Sequence, residues 1–185
     1  NLNYLVGGAV PGLMGNAHPS IVPYQDFKTQ DGHLIVAVGN DRQFARFAQL
    51  LGFKEWADNP DFKTNGARVR NRAKLIPKIA DVMVHRTTDE WRETLNSERI
   101  PCGPINTIAQ AFNEDTAKAR GLAVEMNDPS AGTMKLVANP IKLSETPIRY
   151  HRPPPKLGEH AVEILTGFGF DIERIEALRD QGVIA

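Results

Sequence analysis

Apolar and polar positions change period several times along this chain, and each change marks an element. Leu2, Leu5 and Val6 stand at i, i+3 and i+4, a helical spacing that Gly7-Gly8 ends. Gly8 to Ser20 holds no period and reads as a loop. Ile21 to Phe27 and Leu34 to Val38 read as strands on either side of KTQDGH, whose Asp31-Gly32 pair predicts a hairpin. Asp41 follows as a helix cap. Behind it Phe44, Phe47, Ala48 and Leu51 form a helical stripe that Gly52 closes.

A second helical stretch runs from about Ala67 to His85, with Ile76, Ile79, Ala80 and Met83 on one face and Pro77 predicting a kink or a split. Thr87 and Glu90 have the spacing of a capping box and open a third helix, TTDEWRETL. IPCGPIN predicts a stiff turn, and Thr107 to Arg120 a weaker helix broken near Asn113. Leu122 to Met126 and Met134 to Val137 predict a second hairpin around NDPSAGT. The Pro-rich stretch ETPIRYHRPPPKLGEH reads as extended, polyproline-like chain. Ala161, Ile164, Leu165 and Phe168 then form one short helical stripe, and Asp171 caps another that carries Ile172, Ile175 and Leu178. No internal repeat interrupts this order. It describes an α+β chain of antiparallel hairpins and covering helices. The connector from Ile141 to Gly158 buries little, so it is expected to lead the last helices to a body other than the first hairpin's.

Composition narrows the function classes. With 41% hydrophobic residues, 185 positions can bury a core. Lys plus Arg and Asp plus Glu number 22 each, so no net field attracts nucleic acid or an anionic membrane. The one cysteine, Cys102, excludes an intrachain disulfide and a thiolate metal cluster and favours a reducing, cytoplasmic setting. No apolar run reaches the roughly 18 residues of a membrane span. The opening NLNYLVGG has neither Met nor a basic segment. The expectation is a piece of a longer protein, entered at the end of a helix.

Candidate chemistry is sparse. KTNGARVRNRAKLIPK carries Lys63, Arg68, Arg70, Arg72, Lys74 and Lys78 without an acid and could hold phosphates, but without interleaved aromatics it reads as a solvated helix face. The five histidines show no ligand spacing, so no metal site is expected. Cys102 lies between two prolines with no base in sequence to activate it, and reads as a small buried residue in a tight turn. No GxSxG elbow is present, and GFGFD follows a helix rather than a strand, unlike a dinucleotide fingerprint. What remains is the turn GNAHPS. Gly15 lets backbone N–H groups meet a ligand, Asn16 can donate and accept, and His18 can do either. On these residues alone, a loop shaped by Gly15 and Pro19 is favoured over a site.

The ordered set GNAHPSIVPYQDFKTQDGHLIVAVGNDRQF, RVRNRAKL, TTDEW, IPCGPIN, ARGL and RPPPKLGEHAVEIL, then GF and IERIEALRDQGVI, resembles the C-terminal half of class III CoA-transferases, the CaiB/BaiF family. AHPSIVPYQ and RPPPKLGEH are closest to members acting on dicarboxylates. The resemblance implies a Rossmann-like large domain, outside this chain, and a small α+β domain. Residues 1–20 would be linker and lid loop, 21–112 the small domain, 113–160 the second hairpin and Pro-rich connector, and 161–185 helices returning to the large domain. It further implies an interlocked homodimer, acyl-CoA and carboxylic acid substrates with coenzyme A as substrate, and no permanently bound cofactor. The nucleophile would be an Asp upstream of Asn1, so no catalytic residue is assigned within the chain. Gly15, Asn16 and His18 would belong to the substrate-covering lid, with His18-Pro19-Ser20 standing where some members have consecutive glycines. Two alternatives stay open: a 2-methylacyl-CoA racemase of the same fold, whose pattern has Glu-Pro where this chain has Asn40-Asp41, and a non-catalytic domain that binds a partner through its hairpin edge.

Overall fold

The computed structural model describes residues 2–8, 10 and 12–185. Two units are formed, Asn1–Asn106 and Thr107–Ala185. A short helix, α1 (Leu2–Leu5), opens the first. Its sheet is built on β1 (Tyr24–Lys28) and β2 (His33–Ala37), antiparallel with Phe27 opposite Leu34 and Lys28 opposite His33. The pleat sends Leu34, Val36 and Val38 to one side, where all three are buried together with Phe27. IPCGPIN departs from expectation: Cys102–Pro104 is a third strand, β3, on the edge beside β2. Its flanking prolines cannot donate, but an edge strand needs only its inward groups. Ala37 N–H reaches the Pro101 carbonyl at 2.9 Å, and Ile105 N–H reaches the His33 carbonyl at 3.0 Å.

Helices cover the buried face of this sheet. In α2 (Asp41–Leu50), Phe44, Phe47 and Ala48 are buried as the stripe predicts. The cap is Asn40, however, whose carboxamide oxygen accepts the Gln43 N–H at 2.9 Å. Asp41, one position later, is left for another task. The expected long second helix is two: α3 (Asn65–Arg70), capped by Thr64, and α4 (Arg72–Met83). The break falls at Asn71, and Pro77 lies inside α4. An interior proline costs about 3 kcal/mol. Burial of Leu75, Ile79 and Met83 on both sides of it returns about 1.5–3 kcal/mol each, which keeps the helix whole. Leu75, rather than Ile76, joins Ile79 and Met83 as fully buried on that face.

Arg68 corrects the reading of the basic stretch as a solvated face. Its side chain is wholly buried, with the guanidinium 4.3 Å from the centre of the Phe44 ring. Nε donates to the Val22 carbonyl at 2.6 Å, Nη1 to Phe62 at 2.9 Å and Nη2 to the Asp41 carboxylate at 2.9 Å. Burial pulls the guanidinium pKa down, and Asp41 opposes that pull.

The capping box at the start of α5 (Thr88–Ser97) is formed as expected between Thr87 and Glu90. The hairpin turn reinforces it from outside: the Asp31 carboxylate accepts both the N–H and the hydroxyl of Thr88, each at 2.8 Å. These bonds hold the Asp31 pKa below the usual carboxylate range, and the Thr87 N–H and hydroxyl do the same for Glu90. A carboxylate whose pKa is lowered in the folded state stabilises the fold above its unfolded pKa and ceases to do so as pH falls through the folded one. Asp31→Asn is therefore expected to lower the melting temperature at pH 7, with the gap from wild type closing on acidification. A gap as wide at pH 3 as at pH 7 would show that the carboxylate charge plays no part.

In the second unit, Thr107 and Gln110 form another capping box at α6 (Ile108–Asn113), and the chain breaks at Glu114 before α7 (Asp115–Ala119). The second hairpin pairs β4 (Ala123–Asp128) with β5 (Gly132–Val137). Asp128 shapes its turn by accepting the N–H groups of Ser130 and Ala131, both at 2.7 Å. Residues 138–157 form no helix or strand, in keeping with the Pro-rich connector. Then come α8 (Ala161–Gly167) and α9 (Ile172–Asp180), the latter capped by Asp171 through the Arg174 N–H. Ile175 is buried, whereas Ile164, Phe168 and Ile172 are exposed.

Candidate functional site

The turn singled out in the sequence is a built object. Ala17 N–H meets the Met14 carbonyl at 3.2 Å, and Gly15 sits at φ +60 while Asn16 does not share the positive φ. That is the pattern of a type II′ turn, which wants glycine first. A Cβ built on Gly15 would meet nothing within 4 Å, so the requirement is conformational rather than one of space. Gly15 and Asn16 are exposed, and among the described residues their N–H groups have no protein acceptor.

His18 is held differently. Its N–H donates to the Tyr24 carbonyl at 2.8 Å, and its ring stacks on Tyr24 with centres 5.3 Å apart. Nδ1 accepts the Ser20 N–H at 3.1 Å. A ring nitrogen that accepts carries no hydrogen, so the neutral imidazole presents an N–H at Nε2. The carbonyls of His18, Pro19 and Ser20 all turn to α3 and α4. Arg72 Nη2 donates to the first two at 2.8 and 3.1 Å, and the Asn65 carboxamide donates to Ser20 at 2.8 Å. Asn65 also accepts the Val22 N–H at 3.1 Å and gives its own N–H to Asp41 at 2.8 Å. Through Asp41 and Arg68, the downstream half of the turn is tied to the core.

The structure thus brings Gly15, Asn16 and His18 together on one turn, with free donors on its upstream half and a tethered imidazole downstream. Asn65 is a participant that the sequence reading does not single out, and Arg68 and Arg72, read there as part of a solvated face, have internal partners instead. Asn65 and Arg68 stand at i and i+3 on α3, whereas Arg72 opens α4 beyond the break at Asn71, so no single helical period links the three. Cys102 is not part of the arrangement. Its Sγ lies 3.7 Å from Asn96 Oδ1 and 3.9 Å from the Arg92 carbonyl, and burial pushes the thiol pKa up, the reverse of activation. Asp31 and Asp41 are occupied in packing, as described. Among the described residues, no group of three or more His, Cys, Asp or Glu side chains could hold a metal ion, and no helix is long and apolar enough to cross a membrane.

Comparison with known proteins decides the family, since the sequence profile of CoA-transferase family III matches residues 1–161. The chain belongs to CoA-transferase family III. It is 39% identical over 176 residues to succinate–glutarate CoA-transferase of Agrobacterium fabrum, covering 95% of the chain and 43% of that protein. It is 37% identical over 183 residues to human succinyl-CoA:glutarate CoA-transferase, covering 98% of the chain and 42% of that protein. A crystal structure of a CaiB/BaiF family protein from Brucella suis superposes with a TM-score of 0.76 at 38% identity, over 90% of the chain and 43% of that structure. This family III chain spans less than half the length of the relatives it matches. Its α+β fold, with small antiparallel hairpins and covering helices, agrees with the resemblance read from the motifs.

Proposed function

We propose that the protein containing this chain is an acyl-CoA:carboxylate CoA-transferase acting on dicarboxylates through an aspartyl-CoA thioester. The observation that carries the reading is the 39% identity, over 95% of the chain, to a relative that exchanges CoA between succinate and glutarate. In the reaction an Asp carboxylate upstream of Asn1 attacks the thioester carbonyl, expelling CoA thiolate and leaving a mixed anhydride. The thiolate attacks the aspartyl carbonyl, the donor acid departs, and an aspartyl-CoA thioester remains. The acceptor carboxylate then attacks this thioester, and returning thiolate carries CoA to the acceptor and restores the Asp. Splitting one exchange in this way lowers each barrier.

The turn Met14–Ser20 would serve as the lid. The Gly15 and Asn16 N–H groups and the His18 Nε2–H are donors for the oxyanions, and the lid keeps water from the anhydride. The helices after Ala161 would pack on the large domain, in a cytoplasmic, interlocked homodimer. Against the racemase alternative, Asp41 at the position of the Glu-Pro pattern is engaged by the Asn65 N–H and by Arg68 rather than offered to a substrate.

The test uses the complete protein with succinyl-CoA and glutarate, hydroxylamine present during turnover, and a 2-methylacyl-CoA in deuterated water in a parallel run. Expected are glutaryl-CoA, a hydroxamate on one Asp, no deuterium at the α-carbon, and no exchange by residues 1–185 alone. Deuterium uptake without a hydroxamate would install the racemase reading, and inertness in every run the non-catalytic one.

A further inference from the structure

The charges of the basic stretch divide by task. Lys63, Arg70 and Lys78 are exposed, Lys74 pairs with Asp61 at 3.0 Å, and Arg68 is consumed in the core. Arg72 alone among them reaches the opening turn, bridging 54 residues of sequence to the His18 carbonyl. We propose that Arg72 is a positioning residue that fixes the His18 imidazole as an Nε2–H donor. The catalytic meaning of that donor rests on the function proposed above.

Pro19 creates the need for such a clamp. For Nδ1 to accept the Ser20 N–H, the chain must fold the Ser20 amide back over the ring of His18. Pro19 sets its own φ but has no N–H, so no backbone donor between His18 and Ser20 can secure that bend. The bend is held from its carbonyl side instead. One nitrogen of Arg72, with two hydrogens, takes the carbonyls of His18 and Pro19, and Asn65 takes that of Ser20. A guanidinium suits this because its hydrogens lie in one plane at fixed angles, whereas an ammonium on a flexible stem defines the direction of neither bond. Stacking on Tyr24 settles the plane of the ring but leaves open which nitrogen bears the hydrogen. Only the Ser20 N–H settles that, and Arg72 keeps the Ser20 N–H in place. Without the guanidinium, the hydrogen would exchange between Nδ1 and Nε2, and the ring would aim its donor only part of the time.

The test compares wild type, Arg72→Gln, Arg72→Lys, His18→Ala and the His18→Ala/Arg72→Gln pair in the complete protein, labelled with ¹⁵N-histidine. In wild type, nuclear magnetic resonance is expected to show distinct nitrogens for His18, with hydrogen on Nε2. In Arg72→Gln the two signals are expected to move together towards an average, and Arg72→Lys should lie between. For exchange from succinyl-CoA to glutarate, Arg72→Gln is expected to lower kcat about tenfold with KM for acyl-CoA within twofold, Arg72→Lys to recover part of it, and the double variant to be no slower than His18→Ala. Unchanged His18 nitrogens in both Arg72 variants, or losses that multiply in the double variant, would overturn the proposal. Should Arg72→Gln fail to fold, Arg72→Lys carries the same comparison. Should wild type exchange no CoA, the proposed reaction falls and the nitrogen signals alone decide the clamp, averaging in the variants supporting it and constancy overturning it.

Discussion

Arg68→Ala is expected to destabilise the first unit by about 2–6 kcal/mol, since it strands two buried carbonyls without a donor. The loss is expected to come mainly from what is left behind. The carbonyls of Val22 and Phe62 would face an apolar interior with no donor, at about 1–3 kcal/mol each, and the cation over the Phe44 ring would be gone. Asp41 matters less, because its side chain is 53% exposed and water can replace the guanidinium. Two companions separate these sources. Arg68→Met restores apolar volume but no donor, and should lose almost as much as Arg68→Ala. Asp41→Asn keeps an acceptor but leaves the buried guanidinium without its anion, and should lose about 1–3 kcal/mol, less than Arg68→Ala. Urea unfolding measures all three, and an Arg68→Ala variant within 1 kcal/mol of wild type would show that the cluster around it relaxes freely.

The same residue shows where reading the sequence stops. The hairpin at Asp31-Gly32, the Phe44–Phe47–Ala48 stripe and the Thr87–Glu90 box were legible because each is set by neighbours within a turn or two. Arg68 reads as a surface charge because the partner that justifies its burial, the Val22 carbonyl, lies 46 residues away. The strand Cys102–Pro104 was missed for a related reason. Its prolines speak against a ladder locally, and only the position of β2 shows that the ladder takes the Pro101 carbonyl and the Ile105 N–H and asks no proline to donate. Asn71 rather than Pro77 ends a helix because the core grips α4 on both sides of the proline. The candidate site divides in the same way. Gly15 and Pro19 mark a turn from sequence alone, but the anchors Asn65 and Arg72 enter through tertiary contact.

That division sets the expected behaviour of the turn in the complete protein. On the proposed reading, His18→Ala removes one donor from the oxyanion, a change that lowers turnover about 10²–10³-fold when the donor is preorganised. Folding should hardly register it. The ring contributes one stack on Tyr24 and one acceptor for the Ser20 N–H, both at a half-exposed position, so stability should stay within about 1 kcal/mol of wild type. Gly15→Ala should behave alike for a different reason. Nothing stands within 4 Å of the added methyl, yet φ +60 is unfavourable for alanine, so the turn would reshape and carry the Gly15 and Asn16 N–H groups with it. The two variants are then distinguished by rescue. His18→Gln places an amide N–H near the former Nε2 and should recover part of the lost kcat, whereas no side chain replaces a displaced backbone donor. Initial rates of CoA exchange alongside melting curves provide the check. A fall in melting temperature with unchanged rates would make His18 a structural histidine and leave the turn a support for β1 rather than a lid.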